Sequence, residues 1–167
     1  MQYIKQKIKF NIKSRYIWLS GAIVILLLVT MFVMSSQNGA QSHSLSRSIV
    51  RFFRNILPIS GELRNNPSFE AINFDLLLRK VAHFSEFFAL SLFLNILLTK
   101  INFRRWKITR TVLSVSLFFA VLDELHQVFV IGRTPTVVDV LIDFAGAALA
   151  VAVLGHIRNL KKRKDTL

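Results

Sequence analysis

The chain has 167 residues, 53% of them hydrophobic and 19% charged, with a formal net charge of +13 and no cysteine. So apolar and so basic a composition excludes an ordinary soluble domain, a disordered basic tail, a disulfide framework and any cysteine-based metal or catalytic site. A membrane protein and a basic nucleic-acid binder remain, and the placement of the 22 lysines and arginines decides between them.

A basic segment over residues 1–16 leads into an uncharged run from Ile17 to Met34. At about 1.5 Å per residue this run crosses most of a hydrocarbon core of about 30 Å. A cleaved signal peptide would share the basic residues in front and the small polar ones behind. The run is longer than a typical signal core and further spans follow, so it reads as a first transmembrane helix, about 17–34. In the external segment 35–79, Leu45, Ile49, Phe52, Phe53 and Ile56 recur at helical spacing, with Arg47, Arg51 and Arg54 largely off that face and Pro58 ending it. This predicts an amphipathic helix lying on the outer leaflet or capping the bundle. Apolar stretches at about 81–98, 111–131 and 137–157 predict three more spans, and a basic tail, 158–167, closes the chain. The fold class is therefore all-α: a polytopic membrane protein with four transmembrane helices plus an external amphipathic helix.

Fifteen of the 22 cations fall in three short segments, before the first span, between the second and third, and after the fourth. All three lie on one side of a four-span protein, so the positive-inside rule places both termini in the cytoplasm. Basic residues that border apolar spans, with no recognition helix or phosphate loop, argue against nucleic acid as a partner.

Five of the nine acids, Glu86, Asp123, Glu124, Asp139 and Asp143, fall within the spans. Each costs roughly 2.5–3.5 kcal/mol at helix centre on insertion scales, so their presence requires compensation. The topology sets them at one level. Counted from the outer boundary, His83, His126 and Asp139 lie about 6–8 Å down and Glu86, Asp123 and Asp143 about 10–12 Å down. Each helix also keeps its polar residues on one stripe, as Asp139, Asp143, Gly146 and Ala150 do in the fourth. Thr136 and Asp139 fit a capping box at the start of that helix. The turn before it, Gly132-Arg133-Thr134-Pro135, sets Arg133 where a guanidinium could grip a phosphate or carboxylate.

Arg79-Lys80-x-x-His83-Phe84-x-Glu86-Phe87, Asp123-Glu124-x-His126-Gln127, and Gly132-Arg133 followed by Asp139, Asp143 and Gly146 together resemble the VanZ-like family of small bacterial integral membrane proteins. Ser35-Ser36-Gln37 is similar to that family's short motif outside the first helix. The resemblance runs from about Ser35 to the end of the fourth span. It implies a four-helix protein of the bacterial cytoplasmic membrane and, for some relatives, lowered susceptibility to the glycopeptide teicoplanin. It implies no established reaction.

The residues themselves point to a polar outer-leaflet pocket for an anionic headgroup or a lipid-linked cell-wall intermediate. Arg133 and Lys80 would contact the anion, with His83, Glu86, Gln127, Asp139 and Asp143 lining the site and Asp123, His126 and Glu124 as candidates for proton chemistry. The alternative is an intramembrane hydrolase or transferase acting on a lipid or lipid-linked phosphate, with a divalent metal held by His83, Asp123 and His126. A network that only specifies helix packing, or a transport path, would use the same groups.

Overall fold

A computed structural model describes residues 2–39, 44, 48, 49 and 74–165, with side chains from Arg15 onward except those of Phe74 and Asp75. The described residues are all-α, with no strand: α1 (Gln2–Ser35), α2 (Phe74–Lys100), α3 (Arg105–Gln127) and α4 (Val137–Lys164). The expected amphipathic helix lies, apart from Ser48 and Ile49, outside the described residues.

Three helices contain stretches long and apolar enough to cross a membrane: Arg15–Ser35, Leu76–Lys100 and Val137–Lys164. The third expected span, 111–131, appears as α3, which stops at Gln127. Tight i→i−3 bonds follow, from Phe129 N–H to the His126 carbonyl and from Val130 N–H to the Gln127 carbonyl, both at 3.1 Å. Gly132 then takes φ +76°, a left-handed conformation that reverses the chain toward α4. At its far end α4 runs through the basic tail, where Lys161 to Lys164 complement the helix C-terminus.

The helices pack through small and polar contacts. α4 lies most extensively against α2. At Gly146 the approach is so close that a Cβ would collide with the Phe84 carbonyl oxygen. Met31, Phe87, Leu90 and Ala120 form one buried cluster, and Leu98, Ile108 and Val112 form another. Ser91 and Ser116 share a buried hydroxyl–hydroxyl bond of 2.8 Å between α2 and α3.

Large apolar side chains cover the outside instead, among them Trp18, Ile25, Phe32, Phe118 and Leu141. An apolar exterior, with close glycine and serine contacts between the helices inside, is the arrangement helices adopt in lipid, where tight packing and interhelical bonds replace hydrophobic collapse.

The two ends of the bundle differ. At one end the Lys100 ammonium lies 5.4 Å from the Tyr16 ring centroid and Arg158 donates to Asn95 Oδ1 at 3.1 Å, bringing together the basic flanks of α1, α2 and α4. The polar stripes meet at the opposite end.

Candidate functional site

Arg79, His83 and Glu86 recur at i, i+4 and i+7 on α2 and so share one stripe. α3 brings Asp123, Glu124, His126 and Gln127, the α3–α4 turn brings Arg133 and Thr136, and α4 brings Asp139 and Asp143. Three sub-sites result.

The first is structural. Lys80 and Asp139 form an ion pair between α2 and α4. Thr136 caps α4, its hydroxyl accepting from the Asp139 N–H at 3.2 Å and donating to Asp139 Oδ2 at 2.8 Å. The capping box expected from Thr136 and Asp139 is thus present in a modified form. The Thr136 N–H goes instead to Glu124 Oε2 at 2.8 Å, tying α3 to the start of α4. Lys80, Asp139 and Glu124 therefore have partners within the protein.

The second lies at the end of α1. Arg133 Nε donates to the Gln37 carbonyl at 3.1 Å and Nη2 to the Met34 carbonyl at 3.0 Å, satisfying backbone acceptors that a helix end leaves free. Gly39 N–H donates to the Ile131 carbonyl at 3.0 Å, and a Cβ on Gly39 would collide with the Gly132 carbonyl. Ser36 Oγ donates to the Phe32 carbonyl at 2.7 Å and lies 3.0 Å from His126 Nε2. With the hydroxyl proton already committed, the imidazole is the donor in that second bond. The His126 ring also packs against Phe32 at 4.8 Å between centroids.

The third is a polar centre among α2, α3 and α4. His83 Nδ1 is 3.9 Å from Asp123 Oδ2 and 3.9 Å from Asp143 Oδ1. Gln127 Nε2 donates to Asp123 Oδ2 at 2.8 Å and fixes that carboxylate. Asp143 is 0% exposed, and neither of its carboxylate oxygens has a hydrogen-bond partner among the described residues. Glu86, one turn beyond His83, is half-buried and repels Asp123 electrostatically. The metal set read from the sequence, His83, Asp123 and His126, is split by this geometry. His126 turns to α1, and Asp143 joins His83 and Asp123.

Two donors above this centre also lack partners. Arg79 Nε and Arg133 Nη1 are buried N–H groups with no acceptor among the described residues. Burial lowers the pKa of Arg133 from its ordinary value, and repulsion by Arg79 acts in the same direction while Asp123 and Glu124 oppose it. A guanidinium retains its proton under such pressure, so two mutually repelling cations each keep a spare donor. An apolar groove of about 190 Å³ opens between α1 and α3, lined by Leu28, Met31, Phe32, Phe119 and Leu122, with Asp123 and His126 supplying its polar groups.

Sequence reasoning gave Arg79 no site role beyond its place in the motif, although its i, i+4 spacing to His83 placed it on the polar stripe. It also gave Ser36 no specific partner, because the Ser36–His126 bond joins residues 90 positions apart.

A family model described as VanZ/LLP1 matches residues 21–158. No curated protein and no solved structure matches the chain.

Proposed function

The chain belongs to the VanZ/LLP1 family, and from that premise we propose a multi-pass protein of the bacterial cytoplasmic membrane that binds the phosphate headgroup of a membrane lipid or lipid-linked cell-wall intermediate. α3 completes the set of four spans, supported by the exposed Leu117, Phe118, Val121, Leu122 and Leu125 on its outward side. Both termini face the cytoplasm, and the polar sub-sites open toward the outer leaflet.

The observation that carries this reading is the pair of unpartnered guanidinium donors on Arg79 and Arg133. A buried N–H without an acceptor costs about 1–3 kcal/mol, more when charged, and a phosphate oxygen between the two would satisfy both and cancel their repulsion. The groove lined by Leu28, Met31, Phe32 and Phe119 gives the attached hydrocarbon chain a place beside that headgroup. Lys80, expected from the sequence to contact the anion, is a positioning residue here because Asp139 neutralises it. Arg79 takes its place.

Sequestering such an intermediate at the outer leaflet would alter what a glycopeptide meets there, so lowered teicoplanin susceptibility is the proposed physiological outcome. The test is mass spectrometry of lipids that copurify with the full-length protein. A phosphate-bearing lipid enriched over its share of the membrane, and lost from Arg79→Gln, is the expected result. A copurifying lipid profile equal to the bulk membrane would overturn the reading.

A further inference from the structure

We infer that His83, Asp123 and Asp143 form a binding site for one divalent transition-metal ion at the base of the headgroup pocket. Each residue comes from a different helix, and one ligand atom from each lies within 4.8 Å of the others. Donors bound to zinc or a similar ion at about 2.0–2.2 Å stand roughly 3–4 Å apart, so the 3.9 Å separations around His83 need only small torsional closure. One imidazole nitrogen and two carboxylates suit zinc or manganese better than magnesium or calcium, which take oxygen almost alone.

Asp143 is the independent reason to place a cation here. Its side chain is fully buried, both oxygens lack donors among the described residues, and Oδ1 faces His83. The neighbouring cations do not serve it: Lys80 is bound to Asp139, and Arg133 donates to the Met34 and Gln37 carbonyls. A doubly charged ion balances Asp123 and Asp143 together. The surroundings are those of a metal site too, since Gln127 holds Asp123 by a 2.8 Å bond as an outer hydrogen-bonding partner would. Gly146, one turn past Asp143, permits the close α2–α4 approach that brings Asp143 to His83. The ion would leave coordination positions open toward Arg79 and Arg133, where a phosphate oxygen could complete its shell; that last step rests on the headgroup reading, while metal binding does not.

The test uses purified full-length protein in detergent free of phosphate and phospholipid, stripped with chelator and titrated with Zn²⁺ or Mn²⁺. Wild-type protein should take up one equivalent and melt at a higher temperature with the ion than without. Asp143→Asn and Asp123→Asn should each weaken uptake at least about tenfold, a loss that even outer-shell substitutions reach at metal sites. Because either variant could fail to fold, Mn²⁺ bound to the wild type should also show magnetic coupling to one imidazole nitrogen, absent in His83→Gln. No stoichiometric uptake, or uptake unchanged in all three variants, overturns the site. So does an infrared band of a permanently protonated carboxylic acid that persists with metal present and disappears in Asp143→Asn. Lipid binding is measured separately in chelator, so each inference can fail while the other stands.

Discussion

His83 on α2 faces Asp143 on α4 at 3.9 Å, an imidazole opposite a carboxylate that has no hydrogen-bond partner among the described residues. The contact exists because Gly146, three residues further along α4, lets the two backbones approach where any side chain would meet the Phe84 carbonyl. Local packing and the polar centre are thus one feature, which makes the glycine a sensitive probe.

Gly146→Ala should destabilise the protein by about 1–3 kcal/mol through overpacking, despite the better helix propensity of alanine. Gly155→Ala is the control: a Cβ there meets nothing within 4 Å, so propensity alone should leave it neutral or stabilise it by up to about 1 kcal/mol. Thermal melts in detergent check both, and equal effects at the two sites would contradict the tight α2–α4 contact.

The Lys80–Asp139 pair is partly exposed, at 28% and 27% of the side chains, so it lies between a surface and a buried bridge. Lys80→Met or Asp139→Asn should each cost about 1–3 kcal/mol, and the double variant less than their sum, because removing one partner strands the other. A double-mutant cycle with no coupling would show that the pair contributes only at the surface level of about 0–1 kcal/mol.

Arg133 serves the end of α1 as well as the pocket. Arg133→Lys keeps the charge but cannot reach two carbonyls and a phosphate at once, so it should lower stability by about 1–3 kcal/mol and weaken lipid binding together. Arg79→Gln, with no bond to the α1 carbonyls, should weaken lipid binding with a smaller stability change. Parallel melts and lipid analysis separate the two roles.

Because the chain contains no cysteine, topology can be read by introducing single ones. Thr134→Cys, in the exposed α3–α4 turn, should react with a membrane-impermeant thiol reagent on intact cells, whereas Lys107→Cys and Lys164→Cys should react only after permeabilisation. The reverse pattern would invert the protein in the membrane.

Much of this was legible in the sequence, for physical reasons that also mark where legibility stops. Long apolar runs located the helices, and the helical repeat put Asp139, Asp143 and Gly146 on one stripe before any packing was known. Helix ends were less accurate: α3 stops at Gln127 because i→i−3 bonds tighten its last turn, and no hydropathy pattern reports that. Within the site the sequence supplied residues that the helices bring together but not their pairing. His126 and His83 are alike in depth and neighbourhood along the chain, yet one meets Ser36 on α1 and the other two carboxylates, a difference set by helix rotation. Arg79 and Lys80 are likewise adjacent, and only the fold assigns Lys80 to Asp139 and leaves Arg79 with a donor to spare.

The most direct measurement compares a polyprenyl phosphate with the polyprenol of the same length, each titrated into the full-length protein in nanodiscs of phosphatidylcholine. Both probes can fill the groove beside Phe32 and Phe119, but only the phosphate can accept from Arg79 and Arg133. The expected result is saturable binding of the phosphate, at least about tenfold weaker binding of the alcohol, and loss of that preference in the double variant Arg79→Gln/Arg133→Gln. Equal binding of phosphate and alcohol, or a preference that survives the double variant, would contradict headgroup recognition by this site.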